Sequence, residues 1–244
     1  MIVKGGKSVY GATLGVLMLD ARFPRIEGDM GNALTWPFPV QYKVVEQASP
    51  GRVVLNRAEG LKDRFISAGK DLVKQGSDGI TTNCGFLSLF QNDLARELEV
   101  PVASSSLMQI PLLQRMLPPD QKVGILTISS KTLDPDHLAL AGVSEDIPIG
   151  GTEEGQEFSR VILNDEPEMD IARARLDNIE AALDLVDKNR NIGAIVLECT
   201  NMVPYAAEIR QATGRPVFSI YNFAIWFQAG LLPRNFNKNL IDRR

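Results

Sequence analysis

Histidine and cysteine are scarce in this chain. Its 244 residues include one histidine, His137, and two cysteines, Cys84 and Cys199. This set matches no zinc-ligand spacing, no Cys-x-x-Cys pair and no Ser-His-Asp arrangement of the usual kind. His137 stands at a polar helix start, Asp-Pro-Asp-His-Leu, and is predicted to be a solvated surface residue rather than a catalyst. So few histidines and cysteines exclude most metal sites and most catalysis by histidine, and the two thiols are the remaining candidates for catalytic groups.

Other absences narrow the function further. Neither a G-x-G-x-x-G fingerprint nor a Walker A sequence occurs, so no nucleotide, metal or bound redox cofactor is expected. The 26 basic and 30 acidic residues give a net charge of −4 without a basic stripe, which disfavours nucleic acid and anionic membranes as partners. No run approaches the roughly 18 apolar residues of a membrane-spanning helix, and residues 1–10 do not read as a signal peptide. A cytoplasmic protein with reduced thiols is therefore expected.

The two cysteines occupy equivalent places in a repeated stretch of sequence, 78–104 in the first half and 193–219 in the second. Pro101 and Pro216 each follow the cysteine of their copy by 17 residues, and each begins a Pro-Val-x-Ser sequence. A free cysteine is often no more than a small buried apolar residue. The symmetric placement of both cysteines favours a functional pair instead.

Short apolar runs alternate with amphipathic stretches along the whole chain. Runs rich in Val, Ile and Leu are typical of strands in a parallel sheet that is covered on both faces. Such runs fall at 13–19, 79–82, 101–103, 123–128, 194–197 and 216–220. Apolar residues at spacings of 3 and 4 in 61–72 and 169–186 predict helices that face the core. The alternation predicts an α/β fold with helices on both faces of the sheet.

Both cysteines are predicted to lie at strand-to-helix corners. Each follows a predicted strand and precedes a helical stretch, 87–98 for Cys84 and 203–212 for Cys199. Ligands of parallel α/β sheets bind at the carboxyl ends of the strands, where these corners lie. The positive end of a helix dipole and its unpaired N–H groups lower the pKa of a thiol placed there.

A long loop, 22–39, follows the first predicted strand. It contains three prolines, three aromatic residues and two arginines, and loops of this length are usually lids or binding loops. Arg25 is hypothesised to bind a second carboxylate, which would favour dicarboxylic substrates. The alternative is that Arg25 is a solvated surface arginine.

Three short motifs carry a resemblance to a known family. They are Leu-Met-Leu-Asp at 17–20, Thr-Asn-Cys-Gly at 82–85 and Glu-Cys-Thr-Asn at 198–201. Over nearly its whole length the chain resembles the cofactor-independent aspartate/glutamate/hydantoin racemase superfamily. Gly85 departs from the Cys-Asn-Thr of the amino-acid racemases, and Asn201 stands where glutamate racemases carry a histidine. These departures leave the substrate open.

The resemblance implies an α/β protein of two pseudo-symmetric lobes, each a mostly parallel sheet flanked by helices, with the active site in the cleft between them. Lobe one is expected at 1–106 plus 219–244 and carries Cys84. Lobe two is expected at 107–218 and carries Cys199. Members of the family are often dimeric, so the resemblance allows a homodimer.

The implied activity is cofactor-independent racemisation or epimerisation of a small carboxylated substrate, an amino acid such as aspartate or glutamate, or a derivative. One thiolate takes a proton from Cα and the other thiol returns one to the opposite face. Asn83 and Thr200 are expected to hold the carboxylate, and Thr127 and Ser130 match the binding loop of the second lobe. The full set of expected substrate-binding residues is Asn83, Gly85, Thr200, Asn201, Thr127, Ser130, Asp20 and Arg25.

Some roles and reactions stay open. Asp20 either orients a thiol or the substrate amine, or only caps the end of its strand. A cis-trans isomerase or a decarboxylase could use the same scaffold, because decarboxylases of the superfamily keep one of the two cysteines and maleate isomerases use one as a nucleophile. From a different class, a small-carboxylate-binding protein that has lost turnover would also keep the cleft.

Overall fold

Two four-stranded parallel sheets form the centre of the structure. The computed structural model describes residues 2–144 and 146–236. The strands are β1 (Leu14–Leu19), β2 (Val40–Val45), β3 (Gly79–Thr82), β4 (Val102–Ala103), β5 (Lys122–Thr127), β6 (Ile149–Gly151), β7 (Ile192–Leu197) and β8 (Val217–Phe218). The first sheet has the order β2-β1-β3-β4 and the second the equivalent order β6-β5-β7-β8, with parallel pairing throughout. The predicted α/β fold with two similar halves is confirmed.

Helices connect the strands and cover the sheets. They are α1 (Pro50–Val54), α2 (Lys62–Gln75), α3 (Gln91–Leu98), α4 (Ile110–Met116), α5 (Pro135–Leu140), α6 (Phe158–Leu163), α7 (Ile171–Lys188), α8 (Ala206–Thr213) and α9 (Ile220–Leu231). Short 3₁₀ segments occur at Ala33–Thr35, Gly85–Phe90, Ser106–Gln109 and Thr200–Tyr205. Among the described residues no helix is both long enough and apolar enough to cross a bilayer.

The sequence repeat is a structural repeat. Cys84 follows β3 and Cys199 follows β7, and each is succeeded by a 3₁₀ segment, an α-helix and a two-residue strand. The helices also end alike, because Glu99 and Gly214 both adopt the left-handed conformation, with φ of 56° and 66°. The sequence predicted one helical stretch after each cysteine, and the structure divides each into a 3₁₀ segment and a following α-helix.

Two of the four edge strands, β2 and β6, were not among the predicted strands. Neither reads as a continuous apolar run, since β2 is Val-Gln-Tyr-Lys-Val-Val and β6 is Ile-Gly-Gly. Their burial is correspondingly partial, whereas every residue of β1, β3 and β7 is buried. Apolar runs identify the strands at the centre of each sheet and the edge strands β4 and β8, but they miss the edge strands whose residues are mixed or mostly glycine.

The apolar stripes predicted for two helices had different outcomes. In α2 the stripe Leu61, Phe65, Ala68 and Leu72 is buried against the first sheet, as expected. In α7 the predicted stripe was right only in part, because Val186 is buried and Ile179 packs against the core, whereas Leu176 is 46% exposed and Leu183 is 37% exposed. The helix instead buries the face that carries Ala174, Asp177, Asn178, Ala182, Leu185 and Val186. The Asp177 carboxylate accepts the backbone N–H groups of Gln156, Glu157 and Phe158, which repays its burial.

The last helix returns the chain to the first sheet. Ile220, Phe223 and Ala224 of α9 join a buried cluster with Leu14 and Val16 of β1. Gly79 leaves room for this contact, since a Cβ there would lie 2.5 Å from the Leu231 side chain. The expected lobe boundaries stay a prediction, and their final stretch, 237–244, lies outside the described residues.

Candidate active site

The two thiols line one small cavity beyond the carboxyl ends of β3 and β7. The cavity is small, with a volume of about 20 Å³, and both Cys84 and Cys199 are among its walls. Each cysteine is the N-cap of the 3₁₀ segment that follows its strand. Both side chains are buried, with 8% and 7% of their surface exposed. The duplicated corners therefore bring two separate halves of the chain to a single site.

Four of the predicted substrate-binding residues line the same cavity: Asn83, Gly85, Thr200 and Asn201. The Thr200 hydroxyl donates to the backbone carbonyl of Asn83 at 2.6 Å, which joins the two halves of the chain. The Asn83 side-chain oxygen accepts from the Leu19 N–H at 2.8 Å. Its amide nitrogen is buried and has no partner within the described part of the chain. The Asn83 amide is thus a free donor in the wall of the cavity, while the Thr200 hydroxyl donates elsewhere and its binding of a carboxylate stays a prediction.

Two further predicted residues, Asp20 and Ser130, do not belong to the cavity wall. Asp20 is exposed and accepts from the backbone N–H of Gln47 at 3.1 Å. The backbone N–H of Ser130 donates to Glu153 at 3.1 Å, and its hydroxyl binds the same carboxylate. Contact of either residue with a substrate stays a prediction.

Arg25 lies in the predicted lid loop, but its contacts differ from those expected. One guanidinium nitrogen pairs with Asp29 at 2.9 Å, and the side chains are 13% and 4% exposed. The guanidinium also lies 4.4 Å from the centre of the Phe23 ring. The other carboxylate oxygen of Asp29 accepts the Asn201 side-chain amide, which ties the loop to the second half of the chain. A second guanidinium nitrogen of Arg25 is buried without a partner among the residues described, so Arg25 is not a solvated surface arginine.

The loop is also fastened to the second half at its beginning. The backbone N–H groups of Arg22 and Phe23 donate to Asp165 at 2.5 and 3.2 Å. Gly28 has a φ of +102° and approaches Pro204 so closely that a Cβ would lie 3.0 Å from its Cα. Phe23 itself lines the cavity. These contacts hold the lid loop against the second half of the chain beside the cavity, and its opening or closing over a substrate stays a prediction.

Glu198 is the site residue that the sequence reasoning missed. It is fully buried, lines the cavity and directly precedes Cys199. One carboxyl oxygen accepts the Thr127 hydroxyl at 2.6 Å, which gives Thr127 a contact within the protein rather than in the cavity wall. The other oxygen has no partner in the described structure. Burial raises the pKa of Glu198 to about 8, and the Thr127 hydrogen bond opposes that shift.

The thiols are harder to ionise than their corner position suggested. Burial, followed by the nearby Glu198, raises the pKa of Cys84, while the N–H groups of Phe86 and Leu87 and the charge of Arg25 oppose the rise. Burial and Glu198 also raise the pKa of Cys199 well above its ordinary value. The expected lowering by a helix N-terminus is present but is outweighed by desolvation.

Glu198 explains why position 85 is glycine. A Cβ at Gly85 would lie 2.3 Å from the free carboxyl oxygen of Glu198 and 2.5 Å from its backbone carbonyl oxygen. We expect Gly85→Ala to reduce the free energy of unfolding by about 1–3 kcal/mol, the usual cost of overpacking. Urea denaturation measures this change. Gly230→Ala is the matched control, because a Cβ there meets no atom within 4 Å, and a similar loss in both variants would contradict the steric explanation.

His137 is not the solvated residue that the sequence predicted. Its side chain is fully buried and its ring meets that of Phe86 edge to face, with centroids 5.0 Å apart. Nδ1 lies 2.8 Å from Asp134, whose carboxylate also binds Arg57. Burial lowers the pKa of His137 to about 4, so the ring packs as a neutral group behind the wall of the cavity. In the described parts of the chain no three His, Cys, Asp or Glu side chains are grouped so as to hold a metal ion.

Comparison with known proteins identifies similar sequences and folds. No family model matches the chain. It is 29% identical over 232 residues to a dimethylsulfoniopropionate lyase of Durusdinium sp. clade D, covering 91% of this chain and 75% of that protein. It is 31% identical over 230 residues to dimethylsulfoniopropionate lyase 7 of Emiliania huxleyi (strain CCMP1516), covering 90% of this chain and 67% of that protein. A glutamate racemase structure from Bacillus anthracis matches with a TM-score of 0.59 and 15% identity over 93% of this chain and 85% of that chain.

These findings separate the fold from the reaction. The resemblance to the aspartate/glutamate/hydantoin racemase superfamily is confirmed at the level of the fold. The interpretation as a racemase or epimerase was wrong, because the sequence relatives that match over most of the chain are named lyases. The alternative of another reaction on the same scaffold agrees better with these relatives. They are enzymes, which also disfavours a binding protein without turnover.

Proposed function

Because this chain belongs to the dimethylsulfoniopropionate lyase family, we propose that it is a lyase acting on a small β-sulfonium carboxylate such as dimethylsulfoniopropionate. The observation that carries the proposal on the structural side is the pair of thiols in one buried cavity. Such a cavity can supply a base to the carbon beside a carboxylate, and that step is common to racemisation and to elimination. The reactions differ in what leaves the neighbouring carbon.

The elimination balances without an oxidant or reductant. A base removes a proton from Cα, and the electron pair of that C–H bond becomes the second bond between Cα and Cβ. The Cβ–S bond breaks, and its electron pair leaves on sulfur as neutral dimethyl sulfide. The other product is acrylate. A neutral leaving group needs no proton, so one base and a site for the carboxylate are enough.

We assign the base to Cys84. The N–H groups of Phe86 and Leu87 and the charge of Arg25 all favour the Cys84 thiolate. Cys199 donates its thiol proton to the Asn201 side-chain oxygen at 3.5 Å. Burial and Glu198 raise its pKa, the Asn201 N–H opposes the rise, and the charges of Cys84 and Asp29 add to it. Cys199 is therefore the thiol that stays protonated and can donate to the carboxylate as negative charge develops on it.

Two free donors suit the substrate carboxylate. Asn83, whose amide nitrogen is unpaired, lines the cavity, and the unpaired guanidinium nitrogen of Arg25 is buried in the loop that contributes Phe23 to the cavity wall. Asp29 already pairs with Arg25, so the two side chains together carry no net charge. Arg25 can therefore bind a single substrate carboxylate through its unpaired nitrogen, but it supplies no surplus positive charge for the second carboxylate of a dicarboxylic acid. The remaining wall is largely apolar, with Phe86 and Ile162 among its residues, and aromatic and aliphatic surfaces accommodate the methyl groups of a sulfonium cation.

Turnover of dimethylsulfoniopropionate by the purified protein tests the proposal. Gas chromatography of the headspace measures dimethyl sulfide, and proton NMR of the solution measures acrylate in equal amount. Dimethylsulfonioacetate is the control substrate, because it lacks the second carbon and cannot eliminate. A folded protein that releases neither product contradicts the proposed function.

We expect Arg25→Gln to raise KM for dimethylsulfoniopropionate about 10–100-fold with a smaller change in kcat. The reason is the loss of one charge-assisted hydrogen bond to the carboxylate, worth about 1.5–3 kcal/mol. Steady-state kinetics measure the effect. Arg22→Gln is the control in the same loop, because the Arg22 side chain is 79% exposed. Equal KM values for the two variants would remove Arg25 from the binding site.

A further inference from the structure

We propose that Glu198 is a positioning residue whose uncharged acid form allows the Cys84 thiolate to exist, so that Glu198 and Cys84 together carry at most one negative charge. The thiolate role of Cys84 rests on the proposed function, whereas the electrostatic link between the two residues does not. Glu198 touches the cavity but has no place in the elimination as written above. Its contacts explain why a carboxyl is held there.

The geometry places the Glu198 carboxyl beside both thiols. Its free oxygen lies against Gly85, the residue that follows Cys84, and its backbone continues directly into Cys199. No hydrogen bond joins the carboxyl to either thiol in the described structure, so a direct proton transfer between them is not built into the site. The link is instead a charge interaction through a buried, weakly screening medium.

Few other charges surround the carboxyl. From β5, Thr127 contributes a neutral hydroxyl, and the Ser106 hydroxyl binds the adjoining backbone at the carbonyl oxygen of Leu197 at 2.7 Å. From the lid, the paired Arg25 and Asp29 act on the thiols, Arg25 favouring the Cys84 thiolate and Asp29 disfavouring that of Cys199. Burial without a compensating cation therefore governs the ionisation of Glu198.

The two ionisations exclude one another. An ionised Glu198 raises the pKa of both thiols, and by reciprocity an ionised thiol raises the pKa of Glu198. Well below pH 8 Glu198 is mostly neutral, and the small thiolate fraction of Cys84 grows tenfold with each pH unit. Above pH 8 Glu198 ionises first, so the thiolate fraction stops growing. The site then has an upper pH limit that is set by Glu198 and not by the thiol.

Alkylation of the thiol tests the link without any substrate. Iodoacetamide reacts with thiolates, and mass spectrometry of the Cys84 peptide gives its rate at each pH. For the wild-type protein we expect the rate to rise tenfold per unit up to about pH 8 and then to level off. In Glu198→Gln the rise should continue, so that at pH 9 the variant reacts about tenfold faster than the wild type.

Two further variants sharpen the test. Thr127→Val removes the hydrogen bond that lowers the pKa of Glu198, so the levelling of the rate should move to higher pH. Glu59→Gln removes an exposed carboxyl and should leave the profile as in the wild type. Circular dichroism checks that each variant is folded, and Thr127→Val keeps the proposal testable if Glu198→Gln does not fold.

The outcomes separate this inference from the proposed lyase activity. A folded Glu198→Gln that still levels off near pH 8 overturns the inference, as does a levelling in Thr127→Val that stays in place or moves to lower pH. A protein that fails to release dimethyl sulfide but shows the expected alkylation profiles contradicts the lyase activity and supports the link between Glu198 and Cys84.

Discussion

Cys84→Ser is expected to reduce kcat/KM for dimethylsulfoniopropionate by at least 10²–10⁴-fold. The range is what removal of a general base typically costs, and a serine hydroxyl ionises far less readily than a thiol. Release of dimethyl sulfide measures the rate. The serine side chain is smaller than the buried thiol it replaces, so a thermal melt of the variant is needed to establish that it is folded.

Cys199→Ser is the matched variant, because the two cysteines hold equivalent positions and are buried to the same degree. Its hydroxyl can still donate the hydrogen bond assigned to the Cys199 thiol, so we expect a smaller loss of about tenfold. If Cys199→Ser is inactive while Cys84→Ser retains most of its activity, the roles assigned to the two thiols are reversed. If both keep wild-type rates, neither thiol is the base.

The second large effect concerns stability and pH. The folded protein holds Glu198 with a pKa of about 8, whereas in the unfolded chain the group titrates near 4.5. Between these values the folded state keeps a proton that the unfolded state releases, so the free energy of unfolding falls as pH rises. One pKa unit corresponds to about 1.4 kcal/mol. From pH 5 to pH 7.5 the wild type should therefore lose about 3 kcal/mol more than Glu198→Gln.

Urea denaturation of both proteins at the two pH values measures that difference. His137 contributes with the opposite sign, because its folded-state pKa is lowered to about 4 and stability from this group rises with pH up to about 6.5. Both proteins carry His137, so the comparison cancels it. Equal losses in the two proteins would mean that Glu198 is charged in the folded state.

The strands that could be predicted from the sequence are those that read as short apolar runs. Strands β1, β3, β4, β5, β7 and β8 were all predicted in this way. The repeated spacing around Cys84 and Cys199 predicted a functional pair, and the family resemblance implied that the two thiols meet in one cleft. The edge strands β2 and β6 could not be found in this way, because a half-buried strand mixes polar and apolar residues. The same ambiguity affected α7, whose buried face includes Asp177 and Asn178.

Buried polar residues were the residues that the sequence predicted least well. Glu198 and His137 are both fully buried, and charged or polar side chains are ordinarily assigned to the surface. One signal was available for Glu198, since it directly continues the apolar run Ala-Ile-Val-Leu of a strand predicted to be covered on both faces. For His137 no comparable signal exists. The burial of its ring depends on Phe86, which is 51 residues away in the chain.

The reaction could not be read from the motifs for a chemical reason. Racemisation and elimination both begin with removal of a proton beside a carboxylate, so both can use a thiol base and the same carboxylate donors. The two reactions differ in the group on the neighbouring carbon, and no short sequence motif shows which cavity residues contact that group. The names of the relatives supplied that distinction.

The two halves of the chain, which have similar folds, differ at the lid loop. The loop that carries Arg25 and Asp29 belongs to one half alone, and it sets Arg25 to favour the thiolate at Cys84 and Asp29 to oppose it at Cys199. A substrate carbon that bears two hydrogens loses either of them when two equivalent bases face it from opposite sides. With the base on one wall and the carboxylate held by fixed donors, the choice is no longer equal. The proposed elimination is therefore stereospecific, and the same one of the two prochiral hydrogens is lost in every turnover.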